Sequence, residues 1–406
     1  MMVEKEEQKV QEQDSGPAQP TKEDLSKMME SVSINKDDVE IEIDKDEIEK
    51  KAENVGVDPE TLALYEEFGS FLKVKADITE DTGVKAVIPT GIDVLDGALG
   101  GGFAVGTMSQ IVGNPGSGKS MLAIQTMGSA QKEYKGCLAS FLDSEEATTS
   151  LRLSNLGVKY PPIKPYTDVT VEKVFKHLET MCLFKEQKNI VDVPSVVCWD
   201  SIANTLSEKE REVEDINSVI GYKARLLSIL VPKYVAKCSK YGIAWITVNQ
   251  MRDQLAIGPY SAPKELRYLS TGKTLPGGNV LKFNAFTLLE LKAKAALDPE
   301  KMGFEGMMVT ATTVKNKLMP PNIVVELIGD FVRGFNNFRT SYNFLVKEKR
   351  LVSGAWNYLK SYKDKKFRTK DAEILYYEDE NFRKAFDEAT QEAIQTEIIQ
   401  KYNPKL

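Results

Sequence analysis

The chain has 406 residues, of which 42% are hydrophobic and 8% aromatic, and its formal net charge is −7. That length can bury one large core or two modest ones. The four cysteines lack the spacing of a metal site, the first residues are acidic, and no run of about 18 apolar residues occurs. These features argue against secretion and a membrane span, and they predict a cytoplasmic protein.

The N-terminal part differs in charge from the remainder. Residues 1–80 hold 23 acidic and 10 basic side chains, whereas the rest holds 43 basic and 37 acidic ones. Residues 1–57 contain no aromatic side chain. We therefore predict an acidic, disordered arm, which would be either a solvated tail or a competitor of a polyanion. Apolar side chains spaced by three and four then predict a helix, and we assign 58–84 to an oligomerisation helix and linker.

A glycine-rich octapeptide follows a strand predicted at Met108–Val112. Gly113-Asn114-Pro115-Gly116-Ser117-Gly118-Lys119-Ser120 fits the pattern G-x-x-x-x-G-K-[ST]. In such a loop, backbone N–H groups surround the phosphates, Lys119 reaches the outer phosphates and the Ser120 hydroxyl binds Mg2+. A helix predicted at Lys119–Gln131 points its positive dipole end at the same anion. The loop therefore predicts a site for a nucleoside triphosphate and Mg2+.

Two further predicted strands end in carboxylates. Ser195–Trp199 leads to Asp200, which we assign to the metal ion. Cys137–Leu142 would lie beside that strand and leads to Glu145, whose carboxylate could polarise an attacking water. The alternative for Glu145 and its acidic neighbours is that they only cap the next helix.

A polar amide also stands at a predicted strand end, because Asn249 and Gln250 follow the strand Ile243–Val248. An amide at the tip of a central strand could sense the γ-phosphate. The long polar loop 251–276 comes next and carries several basic and aromatic side chains, including Arg252. Such a loop suits single-stranded nucleic acid.

The later part of the chain predicts strands without intervening helices, and these favour an antiparallel extension of a mainly parallel sheet. The predicted strands are Phe286–Leu291, Met307–Val314 and Ile323–Leu327. Lys315 and Lys317 follow the second of them and, taken alone, indicate a solvated strand edge. We assign 85–340 to the core and 341–406, with a basic aromatic piece and a helical tail at Asp371–Tyr402, to a small C-terminal region.

Together these motifs resemble the RecA recombinase family, most of all its phage UvsX-type members, which would work in the host cytoplasm. The matching strings, besides the phosphate loop, are Pro89-Thr90-Gly91-Ile92-Asp93-Val94-Leu95-Asp96, Phe141-Leu142-Asp143-Ser144-Glu145, Asp200-Ser201, Ile220-Gly221-Tyr222-Lys223-Ala224-Arg225, Asn249-Gln250, Gly277-Gly278-Asn279-Val280-Leu281-Lys282-Phe283 and Lys315-Asn316-Lys317. The resemblance implies an α/β, RecA-like ATPase core with a mixed, mainly parallel central sheet. It also implies a DNA-dependent ATPase that forms filaments on single-stranded DNA, pairs it with homologous duplex DNA and exchanges strands.

The resemblance also implies roles for single residues. Glu145 would be the catalytic base, Gln250 would couple the nucleotide to the DNA loop, and Lys315 with Lys317 would reach the phosphates of a neighbouring subunit. We assign Met121 to the ATP site together with the phosphate loop, and Arg152 stands where relatives stack an aromatic ring on adenine.

For DNA, the resemblance implies two binding loops, residues 207–219 and 251–278. The DNA-binding candidates are Arg225, Arg252, Gly277, Gly278 and Asn279, with Leu255 or Ile257 as a wedge between bases. Single-strand-binding and loader proteins are the partners expected beside the homo-oligomer.

Two other functions stay open from the sequence. A hexameric replicative helicase shares the fold and the Thr90-to-Asp96 opening, but the Gly-Gly-Asn and Lys-Asn-Lys strings favour a recombinase. A recombinase-like accessory scaffold would bind ATP and DNA without strand exchange. The intact set of Lys119, Glu145 and Asp200 argues against that scaffold.

Overall fold

The computed structural model describes residues 84–159, 164, 168–213, 221–253 and 273–402. The predicted arm and N-terminal helix lie outside these residues, as do Leu255 and Ile257. All that follows concerns the compact unit Val84–Leu406.

The described residues form fifteen strands and eleven α-helices. The strands are β1 (Val87–Ile88), β2 (Phe103–Ala104), β3 (Met108–Gly113), β4 (Ala139–Asp143), β5 (Ser195–Asp200), β6 (Ile243–Gln250), β7 (Arg252–Asp253), β8 (Lys273–Thr274), β9 (Thr287–Ala296), β10 (Gly306–Lys315), β11 (Val324–Asp330), β12 (Gly334–Phe335), β13 (Leu351–Val352), β14 (Asn357–Leu359) and β15 (Tyr362–Phe367). The helices are α1 (Asp93–Leu99), α2 (Lys119–Glu133), α3 (Ser150–Asn155), α4 (Val171–Gln187), α5 (Glu208–Glu212), α6 (Tyr222–Lys240), α7 (Asn279–Asn284), α8 (Pro299–Met302), α9 (Asn337–Lys347), α10 (Ala372–Glu378) and α11 (Glu380–Ile394).

An eight-stranded mixed sheet, in the order β12-β11-β10-β9-β3-β6-β5-β4, forms the centre of the fold. The five strands from β9 to β4 run parallel, and β10, β11 and β12 extend the sheet with antiparallel pairings. The prediction of a mainly parallel sheet with an antiparallel extension is therefore confirmed. Strands β3, β5 and β6 are almost wholly buried, which explains why their sequences are mainly apolar.

Successive side chains of the central strands point to opposite faces, and each face has its own core. Ile111 of β3 packs in a cluster with α1 and α2, whereas Met108 packs in a second cluster with α4 and α6. The parallel pairings bring the carboxyl ends of β3, β4, β5 and β6 to one edge of the sheet. This edge holds the candidate site.

After β12 the chain forms a smaller assembly of helix α9, the antiparallel sheet β13-β14-β15 and helices α10 and α11. Its apolar side chains form a third cluster that includes Phe338 and Phe386. The predicted single helical tail is interrupted at Asp379, because the carboxylate of Asp379 accepts a hydrogen bond of 3.0 Å from Phe382 N and starts α11 there. The last helical turns return to the main core, where Ile394 and Ile398 are buried.

Candidate nucleotide-binding and catalytic site

The glycine-rich loop joins β3 to α2 at the carboxyl edge of the sheet. Gly113 lies so close to β9 that a Cβ atom would come within 2.2 Å of the Leu291 carbonyl oxygen. Gly118 has a φ of 86°, and a Cβ there would meet the Phe335 ring at 2.8 Å. Larger residues are therefore excluded at both positions, and the backbone of the loop can turn in front of the N-terminus of α2.

Lys119 begins α2 and is 7% exposed. Its Nζ donates a hydrogen bond of 2.8 Å to the carbonyl oxygen of Asn114 inside the loop. Burial lowers the pKa of the Lys119 ammonium, and the negative charges of Asp200 and Glu145 partly oppose this effect. The ammonium thus lies inside the loop, with carboxylates on two neighbouring strands near enough to act on it.

Asp200, at the end of β5, is 5% exposed and accepts a hydrogen bond from the side chain of Ser120. Burial raises the pKa of the Asp200 carboxyl to about 6, and this hydrogen bond and the Lys119 charge oppose that rise. A hydroxyl beside a carboxylate is a donor pair that suits Mg2+, which takes its remaining ligands from phosphates and water. No group of three or more acidic, histidine or cysteine side chains in the described part of the chain could hold a metal ion alone.

Glu145 lies two residues beyond the end of β4, the strand that pairs with β5, and it is exposed. Its Oε1 accepts hydrogen bonds from Gln250 Nε2 at 3.1 Å, Asn204 Nδ2 at 2.6 Å and Ser201 Oγ at 3.2 Å. The Asp143 carboxylate accepts the backbone N–H of Glu145 at 3.1 Å and so fixes the start of this turn. Three side-chain donors therefore hold one carboxylate oxygen at the strand edge.

No role was predicted for Ser201, although it belongs to the matching string Asp200-Ser201, or for Asn204, which lies four residues after the acid that ends β5. Lys223 of α6 donates to the backbone carbonyls of Ile202 and Thr205, and thereby ties this turn to α6. The signal in the sequence is that two polar residues, Ser201 and Asn204, follow the aspartate assigned to the metal ion.

Arg152 and Met121, the other two candidates for the ATP site, lie outside the phosphate loop. Arg152 belongs to α3, and its Nη1 donates a hydrogen bond of 3.5 Å to the carbonyl oxygen of Phe331. Met121 is 3% exposed, and its side chain belongs to the main core. The side chain of Met121 is therefore part of the core, and the guanidinium of Arg152 contacts the turn between β11 and β12.

The two lysines after β10 lie away from Glu145. Lys315 is level with Leu288 near the start of β9, and its Nζ donates to the carbonyls of Lys282 and Phe283 at 3.0 and 2.9 Å. Lys317 Nζ lies 5.5 Å from the centre of the Phe286 ring. Because β10 runs antiparallel to β9, it ends at the opposite edge of the sheet from the phosphate loop. Within one subunit, these lysines and Glu145 do not meet.

The structure brings together the DNA-binding candidates that it describes. Arg225 is exposed in the first turn of α6, and Asn279 starts α7, which packs against α6 through Gly278 and Ala224. Strands β7, which begins at Arg252, and β8 pair as an antiparallel ribbon that leaves the end of β6. The predicted loops fall partly outside the described residues, at 214–220 and 254–272.

A strand, a phosphate loop and a helix, with carboxylates on the two outer parallel strands, define a phosphate-loop nucleoside-triphosphatase. The family model for the RecA N-terminal domain matches residues 62–335. The chain belongs to the RecA family.

Several RecA proteins are similar to this chain over most of its body. A RecA protein of Thermus thermophilus is 32% identical over 274 residues, which are 66% of this chain and 74% of that protein. The RecA protein of Chlorobaculum parvum is 31% identical over 296 residues, 70% of this chain and 79% of that protein. A crystal structure of the RadB recombinase is 20% identical with a TM-score of 0.41 and covers 61% of this chain and 98% of that chain. A TM-score of 0.41 is too low to support a conclusion about this chain.

In the described ranges, no helix is long and apolar enough to cross a membrane. The cytoplasmic location stays a prediction.

Proposed function

We propose that this protein is an ATP-dependent recombinase that assembles on single-stranded DNA, pairs it with homologous duplex DNA and exchanges strands. Family membership supports ATP-dependent recombination in general. The observation that carries the finer proposal is the hydrogen bond between Glu145 and Gln250, because it joins the candidate catalytic base to the strand that continues into the DNA-loop ribbon.

In the proposed reaction, Glu145 accepts a proton from a water molecule. The water oxygen bonds to the γ-phosphorus while the bond from that phosphorus to the β,γ-bridging oxygen breaks, giving ADP and inorganic phosphate. Lys119 neutralises the outer phosphates. Mg2+ bound by Ser120 and Asp200 would supply further charge neutralisation there.

The transition state needs cations on both sides of the transferring phosphate. Within the chain, Lys315 and Lys317 lie at the far edge of the sheet, so we infer that a second subunit supplies them. The neighbouring exposed side chain of Phe283, at 75% exposure, favours a protein surface over this edge. ATP would then lie between subunits, and its hydrolysis would respond to assembly.

DNA would lie along α7, the β7–β8 ribbon and the first turn of α6. Arg225 and Arg252 would neutralise phosphates, while Gly277, Gly278 and Asn279 allow close approach of the backbone. Leu255 or Ile257 would separate groups of bases. Single-strand-binding and loader proteins, and the UvsX-type assignment to a phage, remain parts of this proposal.

The experiment that tests the proposal is ATP hydrolysis with and without single-stranded DNA, with electron microscopy of the same mixtures. DNA-stimulated hydrolysis by helical filaments, followed by strand exchange between homologous DNAs, is the expected result. Closed rings that hydrolyse ATP would contradict it in favour of a helicase. Filaments without hydrolysis would contradict it in favour of a scaffold.

A further inference from the structure

Gln110 is a fully buried amide that the proposed reaction does not use. It lies in the middle of β3, is 0% exposed, and neither Nε2 nor Oε1 has a hydrogen-bond partner in the part of the chain that the structure describes. A buried amide without partners is unfavourable, so such a residue needs an explanation.

The neighbours of Gln110 connect it to the DNA-loop ribbon. It shares its face of β3 with Val112, and its partners in register are Thr247 on β6 and Leu288 on β9. Val112 and Leu288 pack with Leu275, which lies just after the returning strand β8. Gln110 therefore lies beneath the point where the loop 254–272 rejoins the body.

The diagonal neighbour of Gln110 on β6 is Asn249, which is also fully buried on this face. Asn249 Nδ2 donates a hydrogen bond of 2.9 Å to the carbonyl oxygen of Pro276, and Asn249 Oδ1 accepts one of 3.0 Å from Gln250 N. Diagonal neighbours of this kind are within reach of a long side chain. One asparagine thus links Gln250 to the end of the loop, and a free amide lies beside it.

We propose that Gln110 is a positioning residue that stabilises a second arrangement of the loop end. When Gln250 leaves Glu145 for the γ-phosphate, Asn249 releases Pro276 and its side-chain amide pairs with that of Gln110. The hydrogen bond that Asn249 made with Pro276 is then replaced by one with Gln110 inside the sheet. This inference rests on the proposed function, because it requires Gln250 to respond to ATP.

The test is the variant Q110M, which keeps the length of the side chain and removes the amide. ATP affinity and hydrolysis without DNA should stay at the wild-type level, and the unfolding free energy should be unchanged or higher, since an unpartnered polar group has been removed. Stimulation of hydrolysis by single-stranded DNA should fall about tenfold, as should the gain in DNA affinity on adding ATP. The control is S140A, which removes another buried, unpartnered polar group from the distant strand β4.

If DNA stimulates hydrolysis by Q110M as strongly as in the wild type, and ATP raises its DNA affinity equally, the inference is overturned. If Q110M proves less stable, a double-mutant cycle with N249L decides, because two residues that act through each other give non-additive losses of DNA stimulation. Additive losses would also overturn it. Absence of DNA stimulation in the wild-type protein would instead refute the proposed function.

Discussion

The side-chain amide of Gln250 donates a 3.1 Å hydrogen bond to the carboxylate of Glu145, across a distance of 105 residues in sequence. Strand β5 lies between the strands that carry these two residues. Gln250 lies two residues before the β7–β8 ribbon, and Glu145 lies two residues beyond β4. Under the proposed function, a ligand that attracts Gln250 would remove one of the three side-chain hydrogen bonds to Glu145 Oε1 and would pull on the start of the ribbon.

The first prediction concerns the variant E145Q. Gln has nearly the shape of Glu and can keep the contacts to Asn204 and Ser201, so ATP and DNA binding should persist. Because an amide cannot accept the proton from water, hydrolysis should fall by about two to four orders of magnitude. Single-turnover hydrolysis and DNA binding by fluorescence anisotropy measure both quantities.

The matched control for that variant is E146Q, which changes an exposed carboxylate one residue further along. It should hydrolyse ATP at the wild-type rate. Loss of assembly in E145Q with normal turnover per site would show that Glu145 is not the base.

The second prediction concerns Lys119. K119A removes the ammonium that reaches the outer phosphates, so affinity for ATP should fall by about 10- to 100-fold and hydrolysis should be lost. Because burial of this ammonium is unfavourable, the unfolding free energy without nucleotide should not fall. Calorimetric titration with ATP and chemical denaturation measure the two effects, and K132A, at an exposed position near the other end of α2, is the control. Normal hydrolysis in K119A would disprove the assignment of the phosphate loop.

The third prediction tests the shared site by mixing two inactive variants, E145Q and K315A. A site formed by Glu145 of one subunit and Lys315 of the next is intact at about a quarter of the contacts in a random equimolar assembly. The mixture should therefore recover about a quarter of the wild-type hydrolysis per site. A mixture that stays as inactive as its components would contradict a site shared between Glu145 and Lys315 of neighbouring subunits. Wild-type hydrolysis by K315A alone would remove Lys315 from the reaction.

The fourth prediction concerns Lys185, a fully buried lysine at the end of α4. Its Nζ donates to Val193 O at 2.5 Å, Ser195 Oγ at 3.0 Å and Gly242 O at 3.4 Å. Burial lowers the pKa of Lys185 to about 8 from an ordinary value of 10.5. Between these two values the unfolded chain keeps a proton that the folded chain has lost, so Lys185 adds stability as the pH rises.

Below pH 8, K185M should be less stable than the wild type by about 1–3 kcal/mol, because its three acceptors lose their donor. From pH 8 to pH 10 this difference should grow, with a slope of at most about 1.4 kcal/mol per pH unit. Urea denaturation at each pH measures it, and the comparison of two variants cancels the titration of the buried thiols. K188M, at an exposed position on the same helix end, should follow the wild type. A difference that shrinks with pH would contradict the lowered pKa.

The central strands were predictable because long buried apolar runs leave few alternatives. The predicted strand Ser195–Trp199 ends one residue later in the structure, at Asp200, and Ile243–Val248 extends to Gln250. Strand β15 was not predictable, since its sequence Tyr-Lys-Asp-Lys-Lys-Phe buries only Phe367 and has no alternation of apolar side chains. It is a strand because it pairs with β14, which is a property of the folded chain.

The candidate site also has one part that was predictable from the sequence and one part that was not. The phosphate loop and the acids at strand ends carry a local sequence pattern, and their position at one sheet edge follows from parallel pairing. The contacts of Glu145 with Asn204 and Gln250 depend on the order β6-β5-β4 and on side-chain conformations that no local pattern encodes.

The return of the chain end to the main core limits how this protein can be divided. The Ile394 side chain would come within 2.4 Å of a Cβ placed on Gly97, and Ile398 belongs to the same apolar cluster as the helix that follows the phosphate loop. Expression of a fragment that stops near residue 340 would expose this part of α1 to water. For the same reason, the C-terminal segment cannot be replaced by that of a relative on its own. Gly97 and the helix α1 that contains it would have to be replaced together with it.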